Sequence, residues 1–347
     1  MKNIIELSED ELERATSLHK EAVYVQGLES VSEPTPKFPG FDDAYVSRLK
    51  AGGITALHAS VAWPLDDFRS TALKLMDWHG RLAAMDGAIP VFKVDDVHEA
   101  KRSGKVGVIF GQQDSSCVEG DLRFVGALQR LGLRIMTLTY QRRTLAGDGC
   151  GERTDCGLSE FGWNLIGEMN TQGIVVDLSH VGRQTTLDAI EASGEPVIFS
   201  HSNPRGLRDH IRNIDDEQMK ALAENGGVMG ICSFRIMLRP PHQRPTYEDF
   251  LDHLDYAVDL IGVDHVGIGI DRVTGVPTRE HYQSIKAHYP ELRTGLTFEM
   301  WSEGTVGAGN PESDIDITKG LVARGYSDAE IGKILGGNWL RVFGAVF

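Results

Sequence analysis

Two apolar segments of the chain, GIVVDLSH (173–180) and PVIFSH (196–201), end in the same Ser-His pair. Their near-continuous apolar and β-branched residues are typical of strands that are buried on both faces of a parallel sheet. A helix-like segment over 184–192 lies between them, so that strand, helix and strand follow in the order of a βαβ unit. The pattern therefore predicts two parallel strands that each end in an imidazole, His180 and His201.

The alternation of strand and helix continues over most of the sequence. Six further apolar runs predict strands at 22–25, 53–63, 105–111, 133–140, 226–234 and 264–271. Other helix-like segments lie at 67–85, 121–131, 159–169 and 215–224. Eight strands that alternate with helices predict a (β/α)8 TIM-type barrel, an α/β fold, as a single domain over 1–347 with an N-terminal helix and a C-terminal extension.

A doubly wound open sheet is the alternative architecture. It is disfavoured because no Gly-rich phosphate-binding loop follows the first predicted strand. The Pro-rich segment 239–245 and the stretch 272–312 are expected to be long loops and not linkers.

Composition and charge limit the classes of function. The formal net charge of −15 argues against nucleic acid or an anionic membrane as a partner. The proportions of 41% hydrophobic and 24% charged residues are typical of a globular protein with a large core. The apolar runs are too short to span a membrane, and the acidic N-terminal segment lacks the order of a signal peptide, which predicts a cytoplasmic location.

The four cysteines are consistent with such a location. Cys150 and Cys156 share a Gly-rich loop at a spacing that does not match a zinc knuckle, and the other two lie far apart. We expect free thiols in a reducing compartment, and a disulfide between Cys150 and Cys156 is the alternative.

A parallel barrel places its active site at the carboxyl ends of its strands. His180, His201 and Asp271 all end predicted strands and are therefore expected to face one cavity. Converging imidazoles are good ligands for a divalent metal, above all zinc, and Asp271 could hold a proton or orient a water beside it. The alternative is that each histidine only caps its strand through hydrogen bonds to the backbone.

Six motifs, in order, resemble the membrane dipeptidase (renal dipeptidase) family of metallopeptidases: VDLSHVG, PVIFSHSNPRGL, RNIDDE, GGVMGI, DHVGIGID and ILGGNWLRVF. The resemblance implies a (β/α)8 barrel that holds two zinc ions and hydrolyses dipeptides. It assigns His180 and His201 to the second metal. It also implies that Arg212 of the RN motif binds substrate and that Asp271 serves the catalytic water or the leaving amine.

The sequence departs from the family pattern at the metal ligands. In QGLES, Leu28 and Ser30 stand where the family has a His-x-Asp pair on the first strand. In GQQDS, Gln113 takes the place of a Glu that bridges the two metals. Tyr140 replaces a His that steadies the oxyanion of the substrate, although a phenol can still donate a hydrogen bond. The chain is thus identified as a divergent member that lacks several metal ligands.

The lost carboxylates decide how many metal ions are expected. Two zinc ions bring four positive charges, which this set of ligands does not balance. We therefore expect at most one divalent metal, with zinc as the first choice, on His180, His201 and Gln113, or no metal at all. The other candidates for the third ligand are Asp114, Asp271 and His58. His58 could instead be an ordinary buried strand histidine.

The sequence predicts a dipeptidase-like amidohydrolase, a metallo-hydrolase of weak or altered activity, that acts on a small peptide or amide. Asp271 and Tyr140 are the expected catalytic residues, and Arg212 and Arg142 are expected to bind substrate through charge-assisted hydrogen bonds. Arg142 could instead be a surface charge. The alternative function is a metal-poor relative that binds a small acidic or peptide-like ligand or performs non-hydrolytic chemistry. The sequence leaves the oligomeric state open between a monomer and a homo-oligomer.

Overall fold

The computed structural model describes residues 7–31, 40–273, 279–289, 295–305 and 309–347. The strands of these residues form one sheet: β1 (Tyr24–Ser30), β2 (Ile54–Ala62), β3 (Ala88–Pro90), β4 (Val106–Gln112), β5 (Leu133–Thr137), β6 (Val175–Asp177), β7 (Ile198–Ser202), β8 (Val228–Ile231), β9 (Val266–Ile268) and β10 (Arg272–Val273). All pairings between them are parallel, in the order β10-β1-β2-β4-β5-β6-β7-β8-β9, with β3 beside β4. The eight predicted strands are all present.

The sheet closes into a barrel. β10 continues the last strand after a break at residues 269–271, and it pairs with β1 so that Glu29 lies opposite Arg272. The two ends of the strand order are therefore the two parts of one strand, and the predicted (β/α)8 architecture is confirmed. Two short strands, β3 and β10, were not predicted.

The helices lie outside the barrel and connect its strands. The five helices predicted between strands and the N-terminal helix are all present, with ends shifted by a few residues. The helical segments are Glu9–Glu21, Asp43–Ala51, Phe68–Ala83, Val94–Ser103, Ser116–Val118, Arg123–Arg130, Glu160–Gln172, Arg183–Ala192, Asp216–Glu224, Arg235–Leu238, Tyr247–Ile261, Val263–His265, Arg279–His288, Phe298–Glu303, Pro311–Ser313, Ile315–Ala323, Asp328–Gly332, Lys333–Gly337 and Asn338–Val346.

The prediction of one long loop over 272–312 is wrong. Helices occupy Arg279–His288 and Phe298–Glu303 within it, while residues 274–278, 290–294 and 306–308 lie outside the described ranges. The first of these helices, REHYQSIKAH, has few apolar residues and so lacks the period that reveals a helix in sequence. The Pro-rich segment 239–245 contains neither helix nor strand, as predicted.

The amino-terminal end of the barrel interior is apolar and closed. Trp339 and Phe343 of the C-terminal helix are fully buried in one cluster with strand residues that point into the barrel. Gly27 and Gly267 allow this approach, because a Cβ at either position would lie 2.6 Å from the indole ring of Trp339. Access to the interior is therefore left to the opposite end, where the strands finish.

A polar layer lies above the apolar one. Val175 and Ile198 belong to the apolar cluster, and two residues further along the same strands are Asp177 and Ser200. Successive side chains of a strand alternate between its faces, so these polar groups point into the same interior. They lie next to the rim formed by the carboxyl ends of the strands, which is called the rim below.

Buried ion pairs tie the last strand to the first. Arg272 of β10 donates to Glu29 of β1 at 2.5 Å and to Asp314 at 2.6 Å, and all three side chains are almost fully buried. Each carboxylate also accepts a hydrogen bond from a tyrosine hydroxyl: Tyr45 donates to Glu29, and Tyr24 donates to Asp314. Removing one member of such a buried set costs about 3–5 kcal/mol. The network therefore fixes the strand that carries Asp271.

The cysteines and the lengths of the helices bear on two further expectations from sequence. All four cysteines are free thiols, as predicted. None of the helices in the described part of the chain combines the length and the apolar character that a bilayer crossing needs.

Candidate active site

His180 and His201 meet at the rim. His180 follows β6 by three residues, and His201 belongs to β7. Their Nε2 atoms are 2.8 Å apart, and their rings are inclined at 58°. His180 has a φ of 69°, a left-handed conformation that costs a non-glycine residue on the order of 1–3 kcal/mol. The two imidazoles that the sequence predicts to converge are thus in direct contact.

The ring of His201 is oriented by a buried relay. Ser200 Oγ lies 2.6 Å from Asp177 Oδ2 and 2.7 Å from His201 Nδ1. Asp177 also accepts hydrogen bonds from the Ser179 and Ser200 amides and from the Thr137 hydroxyl, so its carboxylate is an acceptor throughout. Ser200 therefore gives its single proton to Asp177 and accepts one from His201 Nδ1. This arrangement leaves the lone pair of His201 on Nε2, which faces His180.

The tautomer of His180 follows from that of His201. Because His201 Nε2 carries a lone pair, His180 must donate the hydrogen bond that joins them, and its own lone pair is then on Nδ1. That Nδ1 atom is buried and has no hydrogen-bond partner among the described residues. Tyr140 stacks on the imidazole of His180 with ring centroids 4.1 Å apart.

Both imidazoles are neutral at physiological pH. Burial holds the pKa of His180 well below its usual range, and the charge of Arg212 lowers it further, as would a proton on His201. Burial likewise holds the pKa of His201 well below its usual range, with Arg212 and His58 as the charges that add to the effect. The neutral imidazole is the form that binds a metal, but a cation held by both Nε2 atoms would require the proton of His180 to move from Nε2 to Nδ1, with no change in net charge.

The relay from Asp177 through Ser200 to His201 leads to a first prediction. Replacing Ser200 with Ala removes the acceptor that fixes the Nδ1–H tautomer of His201, and outer partners of this kind are typically worth 10–100-fold in metal affinity. We expect the dissociation constant for Zn²⁺ to rise by about that factor in Ser200→Ala, measured by competition with a chelating indicator.

Ser202 provides the matched control. It lies on the same strand, and its buried hydroxyl has no hydrogen-bond partner in the described part of the chain. Ser202→Ala should therefore leave the affinity for Zn²⁺ unchanged. Equal affinities in the two variants would contradict an orienting role for the relay.

Of the other residues predicted for the site, Arg212 contacts the histidine pair, Asp271 lies at the same rim, and Arg142 belongs to a loop outside the cavity lining. Arg212 is almost fully buried and donates from Nη2 to the backbone carbonyl of His201 at 3.1 Å. Asp271 follows the last strand at the same rim, with a left-handed φ of 59° like that of His180. Arg142 donates to the carbonyl of Gly151 and is half-buried in its loop.

Neither Gln113 nor Asp114, two candidates for the third metal ligand, is hydrogen-bonded to the histidine pair in the part of the chain that the structure describes. Gln113 follows β4 and is buried, and in the described residues no hydrogen bond joins it to either imidazole. Asp114 is occupied by its own loop, since it accepts from the Leu65 amide at 2.7 Å and from the amide and hydroxyl of Ser116. Within the described ranges, no group of three His, Cys, Asp or Glu side chains is placed to hold a metal.

His58 is a buried strand histidine. Its Nδ1 atom is 2.8 Å from the carbonyl of Gly27, and its ring packs so closely over Gly111 that a Cβ there would lie 1.9 Å from Nε2. Burial lowers its pKa, while Asp177 acts in the opposite direction. These contacts place His58 inside the barrel, in the polar layer below the rim, which favours the structural alternative over a role as a ligand.

A two-metal centre does not fit these residues. Leu28 is fully buried and has no lone pair, Ser30 is neutral, and the amide of Gln113 lacks the charge of a bridging carboxylate. A single ion is compatible with the histidine pair. Two Nε2 atoms in a tetrahedral zinc site lie about 3.3 Å apart, so the rings would have to separate by roughly half an ångström from their contact at 2.8 Å.

A cavity of about 210 Å³ opens beside the pair. A space of this size suits a small ligand. His180 and Arg212 line it together with loop residues, among them Cys150, Arg153 and Arg205.

Sequence reasoning missed Asp177 and Ser200. Both stand inside the motifs that single out the histidines, VDLSH and FSHS, and both are polar residues in otherwise apolar strands. A buried polar group needs partners, so their presence in such strands was the available signal.

Comparisons with known proteins agree with this architecture. Residues 40–310 match the family model of the membrane dipeptidases, peptidase family M19. An uncharacterised dipeptidase of Schizosaccharomyces pombe is 34% identical over 61% of this chain and 53% of its own length. A dipeptidase of Claviceps purpurea is 30% identical over 72% of this chain and 53% of its own length. The chain thus spans about half the length of these curated relatives.

A solved structure covers nearly the whole chain. An amidohydrolase from Pseudomonas aeruginosa has a TM-score of 0.85 and 29% sequence identity, over 96% of this chain and 98% of that one. The likeness extends over both the barrel and the C-terminal helices.

Proposed function

Because the chain belongs to the membrane dipeptidase family, we propose that it is a dipeptidase-like amidohydrolase whose metal site is reduced to at most one divalent ion. The observation that carries the proposal is the pairing of two neutral imidazoles, His180 and His201, beside a cavity that Arg212 also lines. The substrate is a small peptide or a related amide, in keeping with the size of that cavity.

His180 and His201 would hold the ion, with Gln113 as the third ligand and zinc as the metal. When bound, such an ion polarises a carbonyl group and makes a water molecule more acidic. The histidines are already neutral because they are buried, and the relay through Ser200 keeps His201 in one orientation.

The remaining residues bind and move protons. Arg212 is buried close to the pair and would bind a substrate carboxylate with charge-assisted hydrogen bonds, while Arg142 is a second candidate for this role. The phenol of Tyr140, stacked on His180, would donate to the oxygen of the amide as negative charge develops there. Asp271 would take a proton from the attacking water and give it to the leaving amine.

One observation favours a second candidate function. The direct hydrogen bond between His180 and His201 satisfies both Nε2 atoms without any ion, and the ligands of the first metal have been replaced. A metal-poor protein that binds a small acidic or peptide-like ligand without hydrolysing it is therefore the alternative.

The test is an assay of the unaltered chain. We expect weak turnover of ordinary L,L-dipeptides with added Zn²⁺, because fewer cations surround the developing oxyanion, and each lost electrostatic donor costs on the order of 10²–10³ in rate. Weak turnover that a chelator abolishes supports the proposal. Vigorous turnover would contradict the reduced site. Zinc-independent binding of dipeptides without any turnover would favour the alternative.

A further inference from the structure

The cavity beside His180 is unusually rich in arginine for a chain of net charge −15. Arg153, Arg183, Arg205 and Arg212 all line it, together with two acidic residues. Whether this makes a binding site depends on which of the charges are already neutralised by neighbours.

Some of these charged side chains already have partners within the chain. Arg183 forms ion pairs with Asp215 and Glu217 outside the cavity. Of the two acidic lining residues, Asp155 is saturated, because it accepts from the amides of residues 157, 184 and 185 and from the hydroxyl of Thr185. Glu152 accepts from the backbone amide of residue 143.

Arg205 and Arg212 are not neutralised in the same way. In the described part of the chain, the ion-pair partner of Arg205 within 4.0 Å is the exposed Asp209, at 3.9 Å, and Asp215 interacts with its charge from farther away. The buried Nε of Arg205 has no hydrogen-bond acceptor among the described residues. Arg212 is almost fully buried, and its side-chain Nη2 donates to a neutral acceptor, the carbonyl of His201. A buried donor without an acceptor is costly, so an anionic ligand that entered the cavity and accepted from Arg205 would be favoured there.

The backbone holds these two arginines in place. The Arg205 amide donates to the carbonyl of Ile214 at 2.7 Å, and the Ile214 amide donates to the carbonyl of Asn203 at 3.0 Å. The two stretches are thus paired side by side, one carrying Arg205 and the other carrying Arg212. Burial and then the charges of Arg212, Arg208 and Arg205 lower the pKa of the neighbouring His210 to about 3.

We propose that Arg205 forms a second anion subsite, so that the preferred substrate is an acidic dipeptide with two carboxylates, one bound by Arg212 and the side-chain carboxylate bound by Arg205. The proposal rests on the proposed function for the role of Arg212 but makes a claim of its own about binding. The overall negative charge of the chain would repel such a ligand, so a preference for it has to come from local contacts.

The experiment compares L-Ala-L-Glu with L-Ala-L-Gln, which match in shape and differ in charge. We expect the full chain to bind L-Ala-L-Glu about 10- to 100-fold more tightly in a calorimetric titration, the range that corresponds to hydrogen bonds with a charged group. Arg205→Gln should remove the preference, and Arg205→Lys should retain part of it.

Arg208→Gln is the matched control. It removes the same charge three residues away, from a side chain that does not line the cavity. If Arg208→Gln keeps the preference and Arg205→Gln loses it, the effect comes from contact and the subsite is supported. An equal loss in both variants, equal binding of the two dipeptides, or no binding of either would overturn it.

Turnover of the same two dipeptides separates this proposal from the proposed function. If neither is hydrolysed with added Zn²⁺ but L-Ala-L-Glu still binds more tightly, hydrolysis fails and the subsite stands. If both are hydrolysed with equal efficiency and bind equally, hydrolysis stands and the subsite is wrong.

Discussion

The combined substitution of Leu28→His, Ser30→Asp and Gln113→Glu should raise both the zinc content and the dipeptide hydrolysis of the chain. It supplies an imidazole and two carboxylates at the positions that the resemblance to the family assigns to metal ligands, and the negative charge would balance a second cation. With a second positive charge near the reacting carbonyl, we expect hydrolysis to increase on the order of 10²–10³-fold. The measurement compares the unaltered chain with the triple variant under the same zinc concentration.

A variant of matched shape separates charge from packing. Leu28→His with Ser30→Asn and an unchanged Gln113 brings similar side chains without the two carboxylates, and it should gain little activity. An unchanged rate and zinc content in the triple variant would contradict the account, because these three positions would then not be what limits the site. Since Leu28 and Gln113 are buried, the triple variant should also be less stable without zinc, which a thermal melt would reveal.

The parts of the fold that the sequence predicts are those with a strong local pattern. The strands Val106–Gln112 and Ile198–Ser202 lie in near-continuous apolar runs, and short runs of this kind are typical of buried parallel strands. β3 is only three residues long and ends in Pro90, so its pairing with β4 depends on tertiary contact and leaves no periodic signal. The helix at Arg279–His288 was missed because its sequence is polar.

The candidate site also has one part that the sequence predicts and another part that it does not. The convergence of His180 and His201 could be predicted, because parallel strands end at one rim. The relay from Asp177 through Ser200 could not, since it requires the register in which Asp177 lies opposite Ile198. The departure from the family at Leu28 is visible in the sequence alone, but the burial of that side chain and the hydrogen bond between the imidazoles are properties of the folded chain.

The second large effect is expected for His201→Ala. The variant removes one of two converging Nε2 atoms and leaves His180 as a lone imidazole beside the charge of Arg212, which repels a cation. We therefore expect any metal bound by the unaltered chain to be lost completely. The exposed His242 supplies a control, since His242→Ala removes a histidine outside the site and should keep the metal. Retention of the metal by His201→Ala would show that other residues hold it.

The most direct test of the reduced metal site is the metal content of the purified chain, expressed in zinc-supplemented medium and analysed by inductively coupled plasma mass spectrometry. We expect at most one divalent ion per chain, and none in His201→Ala. Two tightly bound ions per chain would contradict it, because other side chains would then have replaced the missing ligands at Leu28, Ser30 and Gln113.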